Sequence, residues 1–305
     1  MLIRNIKSTD IVQIVELWNE ALPHEVIDKN QFVKKVLLEP NFSEKGFFVA
    51  EENGDLVGFL NAPCYRKKTV TTGHISILAI RDRARVSEIG TLLLDAAEAY
   101  HRENGKTHIS TGYAPIYFTQ GVEKDLCPEY VALYRSRGYE EKESLKRVCD
   151  LSRFTYPEQS RIRKAELAKE GIYIGEMKDE YILSLIDPSR PFAKPTWTFE
   201  FKQRLADMDY ARIRIAAKDG EVIGCCVFGD PTGSPERFGP FGVNSDLQGK
   251  GIGKILLHDC FQEMKKRGLQ CAWAQWTPVQ GAAQNIYDRY GFTKRNSYYM
   301  FEKDL

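Results

Sequence analysis

Apolar runs broken by a turn glycine occur twice with the same rhythm. FFVAEENGDLVGFL (Phe47–Leu60) and IRIAAKDGEVIGCC (Ile213–Cys226) each predict a strand, a tight turn at Gly54 or Gly220, and a second strand: a β-hairpin. Further on, SILAIRDRARVSEIGTLLL aligns with PFGVNSDLQGKGIGKILL when Gly90 is set on Gly253. ALYRSRGYEE aligns with NIYDRYGFTK when Tyr134 is set on Tyr287. From Phe47 to Ile213, Gly90 to Gly253 and Tyr134 to Tyr287 the offsets are 166, 163 and 153 residues, in the same order. Chance would not preserve the order, so the chain reads as two copies of one fold. Each copy predicts strand, helices, hairpin, longer strand, helix, strand, helix, strand. The expected division is 1–155, a charged linker helix over 156–171 with Pro157 in its first turn and a stop near Gly171, and 172–305. In the second copy DPSRPFAKPTW (Asp187–Trp197) holds three prolines, which forbid a continuous helix and predict an aromatic loop.

Composition narrows the class. A chain of 305 residues is longer than one core usually organises, which agrees with two domains. A net charge of +1 implies no field-driven attraction to nucleic acid or anionic membrane. The opening MLIRNIKSTDIVQIVELW is polar and interrupted, unlike a signal peptide, and no stretch approaches the ~18 apolar residues of a membrane helix. Seven scattered cysteines without a C-x-x-C pair predict reduced thiols in a cytoplasm. The five histidines lack metal-ligand spacing, so no metal is expected.

The candidate chemistry starts at DLQGKGIGKILL (Asp246–Leu257). As a P-loop it fails twice, with Gln248 where the first glycine belongs and Ile255 where a magnesium-holding Ser or Thr belongs. As a dinucleotide fingerprint it puts Lys254 at the last glycine position. The remaining reading is the Q-x-x-G-x-G pyrophosphate loop: Gln248, Gly251 and Gly253, entered from the extended FGPFGV. The helix that follows has an apolar stripe at Ile252, Leu256, Cys260 and Met264. Glycines let the backbone approach, and the orphan N–H groups at the helix start face the phosphates. Downstream, Ala283, Tyr287 and Gly291-Phe292 complete a second block.

With these two blocks the chain resembles the GNAT N-acetyltransferases, specifically in the second half and in degraded form in the first. Its two-copy layout resembles tandem members such as mycothiol synthase. The resemblance implies an α/β (α+β) fold of two tandem domains, each a mixed, mostly antiparallel sheet flanked by helices. It implies acetyl-CoA as co-substrate, held by Phe241, Gly242 and Val243 on the strand and by Gln248, Gly249, Lys250, Gly251, Ile252, Gly253 and Lys254 in the loop and helix start. Tyr287 falls at the family's proton-donor position. A strand glutamate often serves as base six residues before the position of Val243; Arg237 stands there, which leaves Glu236, one residue off, or a water. Phe192, Trp197 and Phe199 would border the acceptor pocket, with Trp273 and Trp276 adding apolar walls.

In the first copy Glu88 replaces Gly251, and Arg85-Val86-Ser87 replaces Gln248-Gly249-Lys250. A carboxylate there would repel phosphate, so this copy is expected to be degenerate despite Tyr134 at the donor position and His74 at the six-before position. The expected function is acetyl transfer to a primary amine of a small molecule or peptide by the second half, without nucleic-acid or membrane partners, as monomer or homodimer. The competing class is an acyl-CoA-binding sensor or scaffold.

Overall fold

The computed structural model describes residues 1–65, 69–112, 120–190, 192, 195–230, 233–280 and 282–305; of 195, 196, 199, 282 and 283 it describes the backbone alone. The chain forms two compact units, Met1–Leu145 with Asn296–Leu305, and Lys146–Arg295. The sequence repeat marked out 1–155 and 172–305. In space, residues from Asn296 onward return to the first unit and those from Lys146 join the second.

The first unit runs through β1 (Leu2–Asn5), α1 (Ile11–Ala21), α2 (Lys29–Phe32), β2 (Phe47–Glu52), β3 (Asp55–Asn61), β4 (Thr72–His74), β5 (Ile77–Ile80), α3 (Val86–Glu103), β6 (His108–Ser110), β7 (Val122–Glu123) and α4 (Pro128–Ser136), then enters β8 (Glu140–Asp150). Strands β1, β2, β3 and β5 form an antiparallel sheet in that order. The β2–β3 hairpin turns at Asn53 and Gly54, both at positive φ (54° and 89°). That turn matches the right-handed twist of the strands it joins. The core beneath includes Leu17, Trp18, Phe47, Phe59, Leu93 and Phe301.

The second unit continues from β8 with α5 (Glu158–Lys169), β9 (Tyr173–Glu176), α6 (Ile182–Ile186), α7 (Pro195–Ala206), β10 (Ile213–Lys218), β11 (Glu221–Asp230), β12 (Ser234–Val243), α8 (Ile252–Lys266), β13 (Cys271–Thr277) and α9 (Ala282–Arg289), then enters β14 (Phe292–Asp304). Its sheet runs β13-β12-β11-β10-β9, with the β10–β11 hairpin turning at Asp219 and Gly220. β11 reads as an unbroken apolar run because both its faces are covered. Val222, Cys225 and Val227 enter a core with Phe192, Phe201 and Leu205, whereas Ile223, Cys226 and Phe228 enter another with Ile255, Leu256 and Phe261.

Two expected segments take definite form. The charged helix expected over 156–171 is α5, and it packs on α8: Ser160 Oγ lies 2.9 Å from His258 Nδ1, and Tyr156 and Lys164 donate to Asp259 at 2.6 and 2.5 Å. The expected aromatic loop is partly helical, because Pro195 opens α7, where its missing N–H leaves no intrahelical bond unmade. Trp197 therefore sits on a helix. Among the described residues no helix is long and apolar enough to cross a membrane.

Candidate active site

Helix α8 begins from Gly251, whose φ of 87° and ψ of 0° lie in the left-handed region; Gly249 is left-handed as well, at 81°. A side chain at either position would strain the backbone, by roughly 1–2 kcal/mol. The first turn-closing bond runs from the Ile255 N–H to the Gly251 carbonyl (3.2 Å). The N–H groups of Ile252, Gly253 and Lys254 therefore have no intrahelical acceptor and point outward at the positive end of the helix dipole. Arg163 Nε donates to the Lys250 carbonyl (3.1 Å), which ties that carbonyl to the α5 side. Because carbonyl and N–H of one peptide plane point oppositely, the Gly251 N–H faces away from α5. Gly253 faces the strand, and a Cβ there would meet Val243 at 3.4 Å and Phe241 at 3.5 Å, ordinary contact distances. Lys250 and Lys254 are exposed beside the loop. Amides, dipole and cations together make this helix start favourable to an anion.

The strand leading to the loop is irregular where it matters. β12 pairs antiparallel with β11 through Gly242–Cys225 and Phe241–Cys226, with register shifts towards Asp230. On its other edge it meets β13 in parallel at Arg237–Trp273, the one register pair between them among the described residues. Phe241, Gly242 and Val243 follow on β12 beyond that pair, on the way to the loop. Gly239 bends the strand at φ 111°. Trp276 on β13 is itself left-handed, at φ 51°, an uncommon state for a bulky residue.

Tyr287 lies on α9, partly buried, with its ring edge-on to Phe292 at 5.1 Å. Burial pushes its phenol up to about 12, against the pull of Arg237 and Arg147. The group stays protonated at neutral pH and can donate. Glu236 is half-buried next to Arg237; burial, and after it the charge of Glu236, push the Cys271 thiol up. Trp197 lies against Gly242, where a Cβ would be 2.9 Å from its Cη2, and its ring neighbours Phe192 and Phe201 at 6.2 and 6.4 Å. The side chains of Phe199 and Ala283 lie outside the described residues.

A buried charge cluster escaped the sequence reading. Glu200 and Arg204 on α7, Arg237 on β12 and Asp230 at the end of β11 are each 5% exposed or less. Arg204 Nη1 stands 3.0 Å and Arg237 Nη1 3.6 Å from Glu200 Oε2. Burial raises the Glu200 carboxyl to about 7 even though both arginines pull it down, and burial lowers the Arg237 guanidinium to about 9. The i, i+4 spacing of Glu200 and Arg204 was the available signal.

The acetyltransferase (GNAT) family model matches residues 11–114 and 179–292, once in each half. This chain belongs to that family. It is 30% identical over 155 residues to an N-acetyltransferase of Methanocaldococcus jannaschii, an alignment covering 47% of this chain and 62% of that relative. In structure it is similar to the glucosamine N-acetyltransferase region of a fungal multi-domain β-N-acetylglucosaminidase (TM-score 0.81, 19% identity, 99% of this chain and 38% of that one). It is also similar to a tandem GNAT protein from the clavulanic acid biosynthesis pathway (TM-score 0.68, 15% identity, 99% and 98% covered). At these identities the structural likeness concerns the fold.

The first GNAT unit treats the corresponding segment differently. Its helix α3 begins at Val86 from Arg85 at φ −102°. In the 163-residue register of the repeat, that start corresponds to Gly249, three residues before α8 begins. The stretch that forms a glycine loop in the second unit is therefore helical in the first. Arg85 then binds Glu88 (2.9 Å) and Glu52 (2.8 Å) across the helix start, which holds both carboxyls down. Tyr134 is buried and stacked on Phe301 at 4.8 Å. His74 Nδ1 lies 2.8 Å from the Gly112 carbonyl, so the ring donates there.

The buried histidines give this GNAT pair a pH signature. Burial lowers His74 and His101 in the first unit and His258 in the second to about 4. A lowered histidine contributes stability that is complete above its unfolded pKa near 6.5 and is lost as pH falls towards 4, on the order of 3 kcal/mol for a ring as buried as His101. The raised Glu200 acts oppositely, gaining stability as pH falls from 7 towards 4.5, and offsets His258. Hydrogen exchange between pH 7 and 5 is expected to show the first unit weakening and the second nearly unchanged. Equal weakening of both would count against these assignments.

Proposed function

We propose that the second unit transfers an acetyl group from acetyl-CoA to a primary amine of a small molecule or peptide by direct attack. The observation that carries this reading is the loop with left-handed Gly249 and Gly251 and amides without intrahelical acceptors at the start of α8, entered from β12. Those amides would hold the pyrophosphate. Strand amides of Phe241, Gly242 and Val243 would receive the thioester carbonyl and stabilise the oxyanion that develops on it. Tyr287 would protonate the departing thiolate. Phe192 and Trp197 on the α7 side would border the acceptor.

The first unit, with the loop register taken up by α3 and Tyr134 closed into its core, is proposed to serve architecture alone. Seven free thiols agree with a reducing compartment. A cytoplasmic protein acting as monomer or homodimer, without nucleic-acid or membrane partners, is part of the same proposal. The residues present offer no metal cluster among those described, and none is invoked.

Titration calorimetry with acetyl-CoA is expected to give one site per chain. Two sites of similar affinity would show that the α3 start tolerates phosphate after all. CoA release against polyamines, amino acids, aminoglycosides and peptides then identifies the acceptor. Tight binding with no release from any amine would leave an acyl-CoA-binding module.

A further inference from the structure

Helix α7 crosses β12 with Trp197, Glu200 and Arg204 along one face, at the i, i+3, i+7 spacing of a single stripe. Trp197 abuts Gly242 at one end of the crossing. At the other, Arg204 donates from Nε to the Gly229 carbonyl (2.9 Å) and from Nη2 to the Gly239 carbonyl (3.2 Å). Glu200 lies between Trp197 and Arg204 on that stripe, and its partner on β12 is Arg237, which pairs in register with Trp273 of β13 and whose charge also acts on Tyr287. Arg237 stands where a strand glutamate would serve as base, donates to the Gly239 carbonyl (3.3 Å) and pairs with Glu200 Oε2. Glu200 is 2% exposed, yet among the described residues its Oε1 has no hydrogen-bond partner. Such an orphan costs about 1–3 kcal/mol or more, and its persistence calls for a use.

We infer that Glu200 is the proton acceptor of the acetyl transfer, supplied from α7 in place of a carboxylate at the position on β12 that Arg237 occupies. The inference rests on the acetyl-transfer reading of this unit. As the amine nitrogen bonds to the thioester carbon and the carbon–sulfur bond breaks, sulfur takes a proton from Tyr287. The surplus proton on nitrogen passes to Glu200 Oε1, directly or through one water. Water returns a proton from Glu200 to Tyr287, so only amine and thioester are consumed. Arg204 on α7, Arg237 on β12 and Asp230 on β11 are the charged groups facing the carboxyl. The two arginines keep it ionisable, while burial and Asp230 hold its proton affinity high. A base that titrates near neutral pH is suited to this task.

The test is kcat/KM against pH, with acetyl-CoA affinity and melting temperature as controls. Wild-type activity is expected to rise through about pH 7 and then level. Glu200→Gln should lose the rising limb and about a hundredfold of plateau activity while binding acetyl-CoA normally; Glu200→Asp should keep the limb at reduced rate. Arg237→Gln removes an opposing cation and should move the limb to higher pH. A wild-type profile flat from about pH 5.5 to 8.5, or Glu200→Gln with the wild-type limb and rate, overturns the inference. If Glu200→Gln melts early, an unmoved limb in Arg237→Gln overturns it instead. Loss of activity in Tyr287→Phe with a normal Glu200→Gln would sink Glu200 alone, whereas absence of acetyl-CoA binding would sink the function reading.

Discussion

Gly251→Glu is expected to weaken acetyl-CoA binding at least tenfold, and by up to about a thousandfold if the full repulsion is felt. A carboxylate about 4 Å from a phosphate opposes it by about 4 kcal/mol at an effective dielectric near 20. The substitution also meets a backbone effect, because Gly251 is left-handed at φ 87°. Gly251→Ala separates the two. It adds the strain without the charge, and among the described residues its Cβ would meet Arg163 alone, Cγ at 3.6 Å and Nε at 4.0 Å. Strain present in free and bound states alike lowers stability more than affinity. Alanine should therefore lower the melting temperature by a few degrees with a small change in affinity, whereas glutamate should lower both. Calorimetry and thermal melts on the two variants check this. Equal affinity for Gly251→Glu and wild type would remove the pyrophosphate from this loop.

Tyr287→Phe is expected to lower kcat about a hundredfold to ten-thousandfold, the range of a lost general acid, with acetyl-CoA affinity nearly intact. The side effects should be small. Phenylalanine preserves the edge-on contact with Phe292, and among the described residues the Tyr287 hydroxyl makes no hydrogen bond whose loss would unsettle the fold. A melting temperature within a few degrees of wild type, combined with slow turnover, identifies the hydroxyl as chemical. Full turnover would return Tyr287 to packing, the role Tyr134 has against Phe301.

What could be read from the chain alone was local. Both hairpins, the α8 stripe and the glycine loop depend on side-chain period and on backbone freedom at Gly54, Gly220, Gly249 and Gly251, which are properties of neighbouring residues. The repeat added the fold class, because one supersecondary pattern recurring in order needs one architecture twice. The degraded first copy was also legible at Glu88 and Arg85. Tertiary structure decided the rest. It showed α3 starting early through the loop register, a shift that a gapless alignment hides. It sent the residues from Asn296 onward into the first unit, because a long strand takes its place from its pairing partners and its sequence is silent about which unit supplies them. It also carried Glu200 on α7 to Arg237 on β12, 37 positions away in sequence. On a helix, a Glu–Arg pair at i, i+4 reads as a solvated face. Burial, with Asp230 nearby, pushes its carboxyl up to about 7, and burial is set by what packs above the helix.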